Sequence, residues 1–496
     1  MKKSILVALS VAFLGLTACS EDTMDDINKD TYHPAPDAVF AYVQLPEAIM
    51  NTGFSTVSGD LAFYLSSWTE QEFGTGNNQL KNAELRHSNE WVASSTFNNV
   101  WSSAYNNLLN IQQMIDKIEN NVPGNEGQYD VLGMAQVLKV MNYGILTDVF
   151  GDIPYSEALQ GLANLQPKLD AQKDIYADLL ATLDKAIANL ETAKADKLSN
   201  AKTQDLVYAG NVTKWMAAAY GLKARYLIHQ SAVDKSVYAA AEAAAQKAVE
   251  LGFAGMTITE FNGVTCDNPW SAFHRSREYT ACSSTVSTMM EATGDPRLDP
   301  YIYYGDAGVQ NPGDEEAARI SYSSIIGYPA WLDLGGQPIH LLSQAEVYFI
   351  LAEAQLRQGK DATEAFQAAV ASSVKDVLTI CADFDEESSI NASTIAADFA
   401  ASLGTPTLKT LFEQKYLAQI VDEQVETFND IRRCQAMGEN WIKLTNPKNT
   451  QSGLNRLPKR LPYGSDSVLN NPKVAEAYGD GFYIYDQPVW WAGGSR

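Results

Sequence analysis

The sequence predicts a mainly α-helical protein in which long irregular loop regions separate the helices. Apolar residues recur every three to four positions over residues 172–194 and 211–230, which is the spacing of one helix face. Residues 343–373 have the pattern of two helices joined by a glycine turn. The stretches 51–90 and 252–340 are rich in Gly, Asn, Ser, Pro and aromatic residues and show no such period. Together these observations favour a helical scaffold with an elaborated loop face.

Three of the predicted helices have a clear inward face. The segments 172–194 and 211–230 each carry an apolar stripe, and segment 236–250 is rich in alanine, whose small side chain lets a neighbouring helix approach closely. The residues of these faces are Ile175, Leu179, Leu183, Ile187 and Leu190; Trp215, Ala219, Leu222 and Tyr226; and Ala240, Ala244 and Ala248.

A capping signal at Ser343 marks the start of the next predicted helix. We expect Ser343 to cap the first turn and the Glu346 side chain to bond back to the Ser343 amide, as in a capping box. Gly359 ends this helix, and a second helix is predicted over about 361–373, so that the pair is similar to a tetratricopeptide unit. A further helix is predicted from Thr405-Pro406, because proline suits a first helical turn.

The long irregular stretches are predicted to belong to the folded domain. Residues 51–90, 252–340 and 445–496 contain many aromatic residues, which argues against disorder. Loops of this length inside a domain are usually functional or disordered. Because no boundary has the composition of a free linker, we predict a single domain over 37–496.

Composition excludes some classes of partner and reaction. The chain of 496 residues has 36 Lys and Arg against 60 Asp and Glu, a net charge of −24. This balance repels phosphate backbones, so no nucleic-acid partner is expected. The H-E-x-x-H, G-x-S-x-G and P-loop motifs do not occur, and the five histidines have no local metal-ligand spacing. We therefore predict neither catalytic residues, nor a metal site, nor a cofactor; calcium binding is left open.

The N-terminus has the pattern of a lipoprotein signal. Lys2 and Lys3 precede a short apolar stretch that ends in Leu16-Thr17-Ala18-Cys19. Small residues before a cysteine match a bacterial lipobox, which predicts a signal peptide over 1–18 and lipid attachment at Cys19. The alternative is an ordinary secretory peptide that happens to contain a cysteine. Residues 19–36 are polar and acidic and are predicted to form a flexible tether.

Cysteine spacing leaves one question open. Past the inner membrane disulfides are permitted. Cys266 and Cys282 are close enough in sequence to pair across a loop, but the sequence does not decide whether they do.

A set of ordered motifs resembles SusD/RagB-type lipoproteins. Residues 142–159 read NYGILTDVFGDIPYSEAL, and are similar to the helix end and D-x-F-G-D-[IV]-P-[YF] turn of that family. Gly151 permits a positive φ there, and Pro154 prevents continuation of the helix. Further segments that resemble the family are Gly210-Asn211 with Trp215 and Leu222 to Tyr226, Gly294 to Leu298, Leu341 to Gly359, Gln414 to Tyr416, Asn429 to Arg433, Arg460 to Tyr463, Asn471-Pro472 and Val489 to Trp491.

The resemblance covers the mature chain and is strongest to the second SusD-like subfamily. It implies tetratricopeptide-like helix pairs that form a single α-superhelical domain with long irregular loop regions. It also implies a lipid-anchored, surface-exposed outer-membrane protein that captures an oligosaccharide or peptide nutrient, glycan being favoured over peptide. The implied partner is a SusC-like TonB-dependent transporter, over which the protein acts as a lid. The alternative is a helical-repeat scaffold lipoprotein that binds only protein partners.

Aromatic residues of the irregular stretches are the candidate ligand contacts, because a sugar ring can lie on an aromatic face while its hydroxyls bond at the edge. We expect the two aromatic regions, 60–80 and 265–335, to meet in space and form the site. For each residue the alternative is that it packs to anchor its loop. The candidates are Tyr64, Trp68 and Phe73 in the first region and Trp270, Phe273, Tyr328 and Trp331 in the second.

Overall fold

The computed structural model confirms the predicted mainly α-helical fold. The predicted signal peptide 1–18, Cys19 and the tether 19–36 lie outside the residues that the structure describes. Residues Ala41–Arg496 form one compact unit. The described residues are 38–76, 78–86, 95–277, 279–301, 309–316, 335–382, 391–420, 422–453 and 457–495.

The helices follow one another closely along the chain, and a π-helix over Thr52–Val57 precedes the second of them. We number the α-helices in chain order as α1 (Ala41–Asn51), α2 (Asp60–Trp68), α3 (Gln79–Glu84), α4 (Ser95–Glu119), α5 (Tyr129–Phe150), α6 (Gln172–Asp196), α7 (Val212–His229), α8 (Val237–Glu250), α9 (Pro269–Arg277), α10 (Ser284–Thr293), α11 (Leu298–Tyr301), α12 (Gln344–Arg357), α13 (Thr363–Ala382), α14 (Ala392–Ser402), α15 (Leu408–Ala418), α16 (Gln424–Ala436), α17 (Ser465–Asn470), α18 (Pro472–Tyr478) and α19 (Tyr483–Asp486).

Helix α5 lies at the centre of the core. It is buried along nearly its whole length and contacts α1, α4, α6, α7 and α16. Gly144 permits the closest of these approaches, since a Cβ atom at this position would lie only 2.1 Å from the Tyr226 hydroxyl on α7. The core is therefore built around one buried helix rather than around a sheet.

Consecutive helices pack as pairs, as the tetratricopeptide-like prediction requires. Contacts run from α5 to α6, α6 to α7, α7 to α8, α12 to α13 and α13 to α14. The predicted inward stripe of α6 is buried, and Trp215, Leu222 and Tyr226 of α7 are fully buried. On α8 the inward face is Ala241, Ala244, Ala245 and Ala248, so that only two of the three predicted alanines belong to it.

Two helix starts differ from the prediction. Ser343 caps α12 by accepting a hydrogen bond from the Glu346 amide at 3.0 Å. The Glu346 side chain does not bond back, because it pairs with Arg225, and the Ser343 amide donates to Glu423 Oε1 at 2.9 Å instead. Helix α15 begins at Leu408 with Thr407 as its cap, two residues after the proline that was expected to open it.

The stretch 51–90 is much more regular than predicted. Its described residues contain the π-helix, α2 and α3, together with strand β1 (Glu72–Gly74). Strand β1 pairs antiparallel with β3 (Thr280–Cys282), and β2 (Met256–Ile258) pairs with β4 (Ile339–Leu342). The β1–β3 ladder joins the first aromatic region to the second. Cys266 and Cys282 are both free thiols, so the open disulfide question is resolved against pairing.

Candidate ligand-binding cleft

A cleft opens between the N-terminal end of α10, the start of α15 and the two loops 309–316 and 441–447. Its volume is about 730 Å³, which falls within the roughly 300–1,000 Å³ of small-ligand sites. We call it the Trp441 cleft. Its lining includes Ser284, Thr285, Thr288, Gly313, Asp314, Lys409, Glu413, Trp441, Lys443 and Thr445.

Trp441 is the aromatic side chain of this cleft. Its ring is half-buried, and its Nε1 donates a hydrogen bond to Glu439 Oε2 at 2.8 Å. Arg357 of α12 holds Glu439 in turn, with Nη2 2.6 Å from the same Oε2. The indole is thus fixed from its edge by a charged pair. Part of its surface packs against the core, and part lines the cleft.

Charges of both signs line the Trp441 cleft. Lys409 and Glu413 lie one turn apart on α15 and form an exposed ion pair of 3.4 Å. Lys443 and Asp314 contribute one further charge of each sign. Two cations and two anions leave no dominant charge, so the lining is suited to a ligand that is neutral or carries both signs.

A buried carboxylate holds one wall of the cleft. Glu70 is fully buried, and its oxygens accept hydrogen bonds from the Thr445 amide at 2.8 Å, the Asn446 amide at 2.7 Å and the Thr285 hydroxyl at 2.7 Å. Its backbone has a φ of +61°, a conformation that is strained for a residue with a Cβ. The turn after α2 therefore fixes both the loop 441–447 and the start of α10.

Glu84 holds the opposite loop in the same way. It accepts a hydrogen bond from the Gly313 amide at 2.5 Å and is paired with Lys81 at 2.8 Å. Burial raises the pKa of the Glu84 carboxyl, although Lys81 opposes this. Gly313 has a φ of +79°, and a Cβ there would lie 2.2 Å from Asn446 Oδ1. The two loops of the cleft are thus packed directly against each other.

The aromatic residues predicted from sequence lie in the core. Trp68, Phe73 and Trp270 are at most 1% exposed and Tyr64 is 7% exposed, whereas Phe273 is half-buried. This burial favours the alternative in which they anchor their segments by packing. Their contact with a ligand stays a prediction, and Tyr328 and Trp331 lie outside the described residues.

The two aromatic regions do meet, through the Phe63 ring of α2. Phe63 stacks on Phe273 with ring centroids 3.9 Å apart and also contacts Trp270 at 4.5 Å. Trp68 packs edge-on against Phe97 and Phe428 at 6.0 Å each. The meeting point is an aromatic cluster inside the protein.

One buried cluster, Asp148, His229 and Glu426, has the side chains of a metal site. The His229 ring lies between the two carboxylates, with Nε2 2.7 Å from Glu426 and Nδ1 3.4 Å from Asp148. Burial alone would lower the pKa of His229, but the two carboxylates outweigh it and raise the pKa to about 9. Because the imidazole is already in contact with both carboxylates and with the Tyr176 hydroxyl, we assign this cluster to the ion pairs of the core.

Comparison with known proteins places the chain in a family. A family model described as starch-binding and associating with the outer membrane matches residues 66–464. A solved SusD/RagB family protein from Bacteroides thetaiotaomicron is 32% identical, has a TM-score of 0.80, and is matched over 92% of this chain and 100% of its own. The chain belongs to the SusD-like family. SusD-like proteins bind nutrients at the outer membrane and are not enzymes.

More distant SusD-like structures share the fold. A SusD homologue from Bacteroides fragilis is 21% identical with a TM-score of 0.71, over 92% of this chain and 100% of that one. A chitin-binding SusD homologue from Flavobacterium johnsoniae is 20% identical with a TM-score of 0.68, over 91% and 98%. No curated protein matched the sequence. None of the helices in the described part of the chain is both long and apolar enough to cross a bilayer.

Residues of the SusD-like motifs lie outside the lining of the cleft, and in two of the motifs polar side chains bond within the protein. After α5, Gly151 has a φ of +82°, and Asp152 accepts a hydrogen bond from the Gln172 amide at 2.9 Å. In the Gly294 to Leu298 loop, Asp295 and Arg297 pair at 2.6 Å with no exposure of either side chain. In these two motifs the polar side chains therefore hold the local turns by contacts within the protein.

Sequence reasoning missed Trp441. The residue stands in a short segment without helical periodicity, after Gly438 and before Pro447. The available signal was a single tryptophan in an irregular segment with lysine and threonine neighbours, which is a pattern of binding loops as much as of packing. The stretches 51–90 and 252–340 contain more aromatic residues and therefore gave the stronger sequence signal.

Proposed function

We propose that this SusD-like protein captures an oligosaccharide in the Trp441 cleft and delivers it to a SusC-like TonB-dependent transporter. The observation that carries the proposal is a tryptophan ring beside a row of side-chain hydroxyls, in a cleft of ligand size. The ring face suits the C–H face of a sugar, and the hydroxyls suit hydrogen bonding at its edge. The absence of a dominant charge favours a neutral glycan over an anionic one.

The relatives support the same class of ligand. The matching family model is described as starch-binding, and the homologue from Flavobacterium johnsoniae is described as chitin-binding. We therefore choose maltoheptaose and chitohexaose as the first probes. Both are neutral oligomers long enough to occupy a cleft of this volume.

Calorimetry with the chain from Ser20 to Arg496 tests the ligand class, since this chain includes the whole compact unit. We expect saturable binding of at least one of the two oligosaccharides and none of a tryptic peptide mixture. Binding of peptides alone would keep the capture role and replace the ligand. Binding of neither would favour the helical-repeat scaffold, whose partners are proteins.

We further propose that the protein is anchored by lipid at Cys19 on the cell surface, on the basis of the lipobox. Several acyl chains on one residue hold a protein stably at a membrane. The transporter partnership is tested by mild detergent extraction of membranes followed by affinity purification of the tagged lipoprotein. A TonB-dependent barrel should co-purify, and its absence from every extract would contradict the partnership.

A further inference from the structure

Glu70 determines which way the hydroxyl groups of the Trp441 cleft point. The Thr285 hydroxyl lies 2.7 Å from Glu70 Oε2, and the Thr445 hydroxyl lies 3.0 Å from the same oxygen. A carboxylate only accepts hydrogen bonds, so each hydroxyl is the donor in its contact with Glu70. The two threonine hydroxyls also lie 3.3 Å from each other, and the shorter contacts make the carboxylate the better acceptor for both protons. Each hydroxyl has a single proton, and that proton therefore points away from the cleft and into the protein.

The polar groups beside these threonines also donate their protons to protein atoms. The Ser284 hydroxyl donates to Asn311 Oδ1 at 2.7 Å, and the Trp441 Nε1 proton is taken by Glu439. What Ser284, Thr285 and Thr445 still have is oxygen lone pairs, which accept. The wall formed by these side chains is thus a hydrogen-bond acceptor surface next to an aromatic ring.

We propose that Glu70 is a specificity-determining residue of the Trp441 cleft, because it makes the threonine wall recognise hydroxyl donors of a neutral, polyhydroxylated ligand. This inference rests on the proposed function. A sugar hydroxyl can donate to Thr285 or Thr445 and still accept elsewhere, for example from Lys409 or Lys443 at the rim. A ligand that offers only acceptors finds no donor on this wall.

The strained backbone of Glu70 is consistent with this role. A non-glycine residue with a positive φ persists only where the surrounding contacts fix it. Glu70 is held by its carboxylate bonds to the 445–446 amides and by the Ser283 hydroxyl, which donates to its carbonyl oxygen. The carboxylate is thereby held within reach of both threonine hydroxyls at once.

The test compares a hydroxylated probe with its donor-free form. Maltoheptaose and chitohexaose, together with the per-O-methylated form of each, are titrated into the chain Ser20–Arg496 by calorimetry. We expect Thr285→Val with Thr445→Val to weaken binding of the hydroxylated probe about tenfold, as the loss of two hydrogen bonds predicts. Affinity for the methylated probe should not change, so the ratio of the two affinities is the readout.

Glu70→Gln tests whether Glu70 acts through the threonines. It should weaken binding of the hydroxylated probe by a similar factor, and combining it with the two valine substitutions should add no further loss. Thr288→Val is the matched control, since Thr288 lines the cleft without bonding to Glu70. Thermal unfolding of each variant checks the fold.

The outcomes separate this inference from the proposed function. If Trp441→Ala abolishes binding and the valine variant lowers both probes equally, the inference is overturned while the cleft stands as the site. If Trp441→Ala leaves the affinity unchanged, the cleft is not the site and both are overturned. The inference is supported if the ratio of the affinities for the hydroxylated and the methylated probe falls in the valine variant and in Glu70→Gln, but not in Thr288→Val.

Discussion

At the scale of single residues, His229 shows how charge is accommodated in the core. It is 1% exposed and lies between Glu426 and Asp148, while Tyr176 contacts its Nδ1 at 3.0 Å. Breaking a buried pair by removing one partner is expensive, because the remaining charge has lost its water as well as its partner. The free energy of unfolding is therefore expected to depend on the charge of His229.

We predict that the free energy of unfolding falls as pH rises through about 9. The pKa of His229 is about 9 in the folded chain and 6.5 when exposed, so its stabilisation is complete below about pH 6.5. This stabilisation is lost progressively as pH rises from about 6.5 to about 9, and the full loss amounts to about 3 kcal/mol. Urea unfolding at pH 6, 7.5 and 9.5 measures this change.

His229→Gln should remove most of that pH dependence. His340→Gln is the comparison, since His340 has one carboxylate partner, Asp422, at 2.7 Å and is partly exposed. The effect of His340→Gln on the pH dependence should be smaller than that of His229→Gln. Identical pH profiles for the wild type and His229→Gln would contradict the assigned role of His229.

Tryptophan residues mark the limit of what the sequence could predict about the site. Trp68, Trp270 and Trp441 all stand in segments without a long helical period. In the structure Trp68 and Trp270 are core residues, because strand pairing and the Phe63 contacts enclose the segments that carry them. Trp441 is not enclosed in this way and lines a cleft. Such long-range enclosure is not encoded in local composition.

At the scale of elements, the start of α12 links a helix cap to a buried charge network. Ser343 accepts from the Glu346 amide and donates its own hydroxyl to Glu423 Oε2 at 2.7 Å. Glu423 also lies 3.2 Å from Arg225. The cap and the ion pairs therefore support each other.

Ser343→Ala should lower the free energy of unfolding by about 2 kcal/mol, the upper end of the range for a lost cap, because Glu423 also loses a donor. Thr407→Ala is the matched control, as Thr407 caps α15 at an exposed position. It should cost about 1 kcal/mol. Chemical denaturation of both variants gives the comparison, and equal losses would contradict a contribution from Glu423.

Helices with a repeated apolar stripe were predicted, and the shortest helices were not, for a physical reason. Helices α6, α7 and α8 run for 25, 18 and 14 residues, long enough to repeat an apolar face several times. Helices α2 and α3, with 9 and 6 residues, are too short to show a period. The stretch 51–90 was therefore predicted to be irregular, although its helices are held by tertiary packing.

At the scale of the whole molecule, we predict that attachment to the membrane depends on the N-terminus. The described helices provide no span, and a net charge of −24 opposes binding to an anionic lipid surface. The predicted lipid at Cys19 would supply an attachment that needs neither a span nor a cationic surface.

Cys19→Ser should release the protein from the outer membrane into the soluble fraction. The substitution removes the thiol that carries the acyl chains but keeps the length of the tether. Fractionation followed by immunoblotting measures the change, and Cys266→Ser is the control, since Cys266 is a free thiol in the folded domain. Continued membrane attachment of Cys19→Ser would contradict lipid anchoring at this residue.

The central claim is that the Trp441 cleft holds the ligand, and Trp441→Ala tests it most directly. Calorimetric titration of maltoheptaose and chitohexaose should show at least a roughly tenfold loss of affinity, since truncating a tryptophan at the centre of a binding site typically costs about 2 kcal/mol or more. Phe482→Ala, which removes an exposed aromatic ring outside the cleft lining, should bind as the wild type does. An unchanged affinity in Trp441→Ala, with its fold intact, would contradict the account.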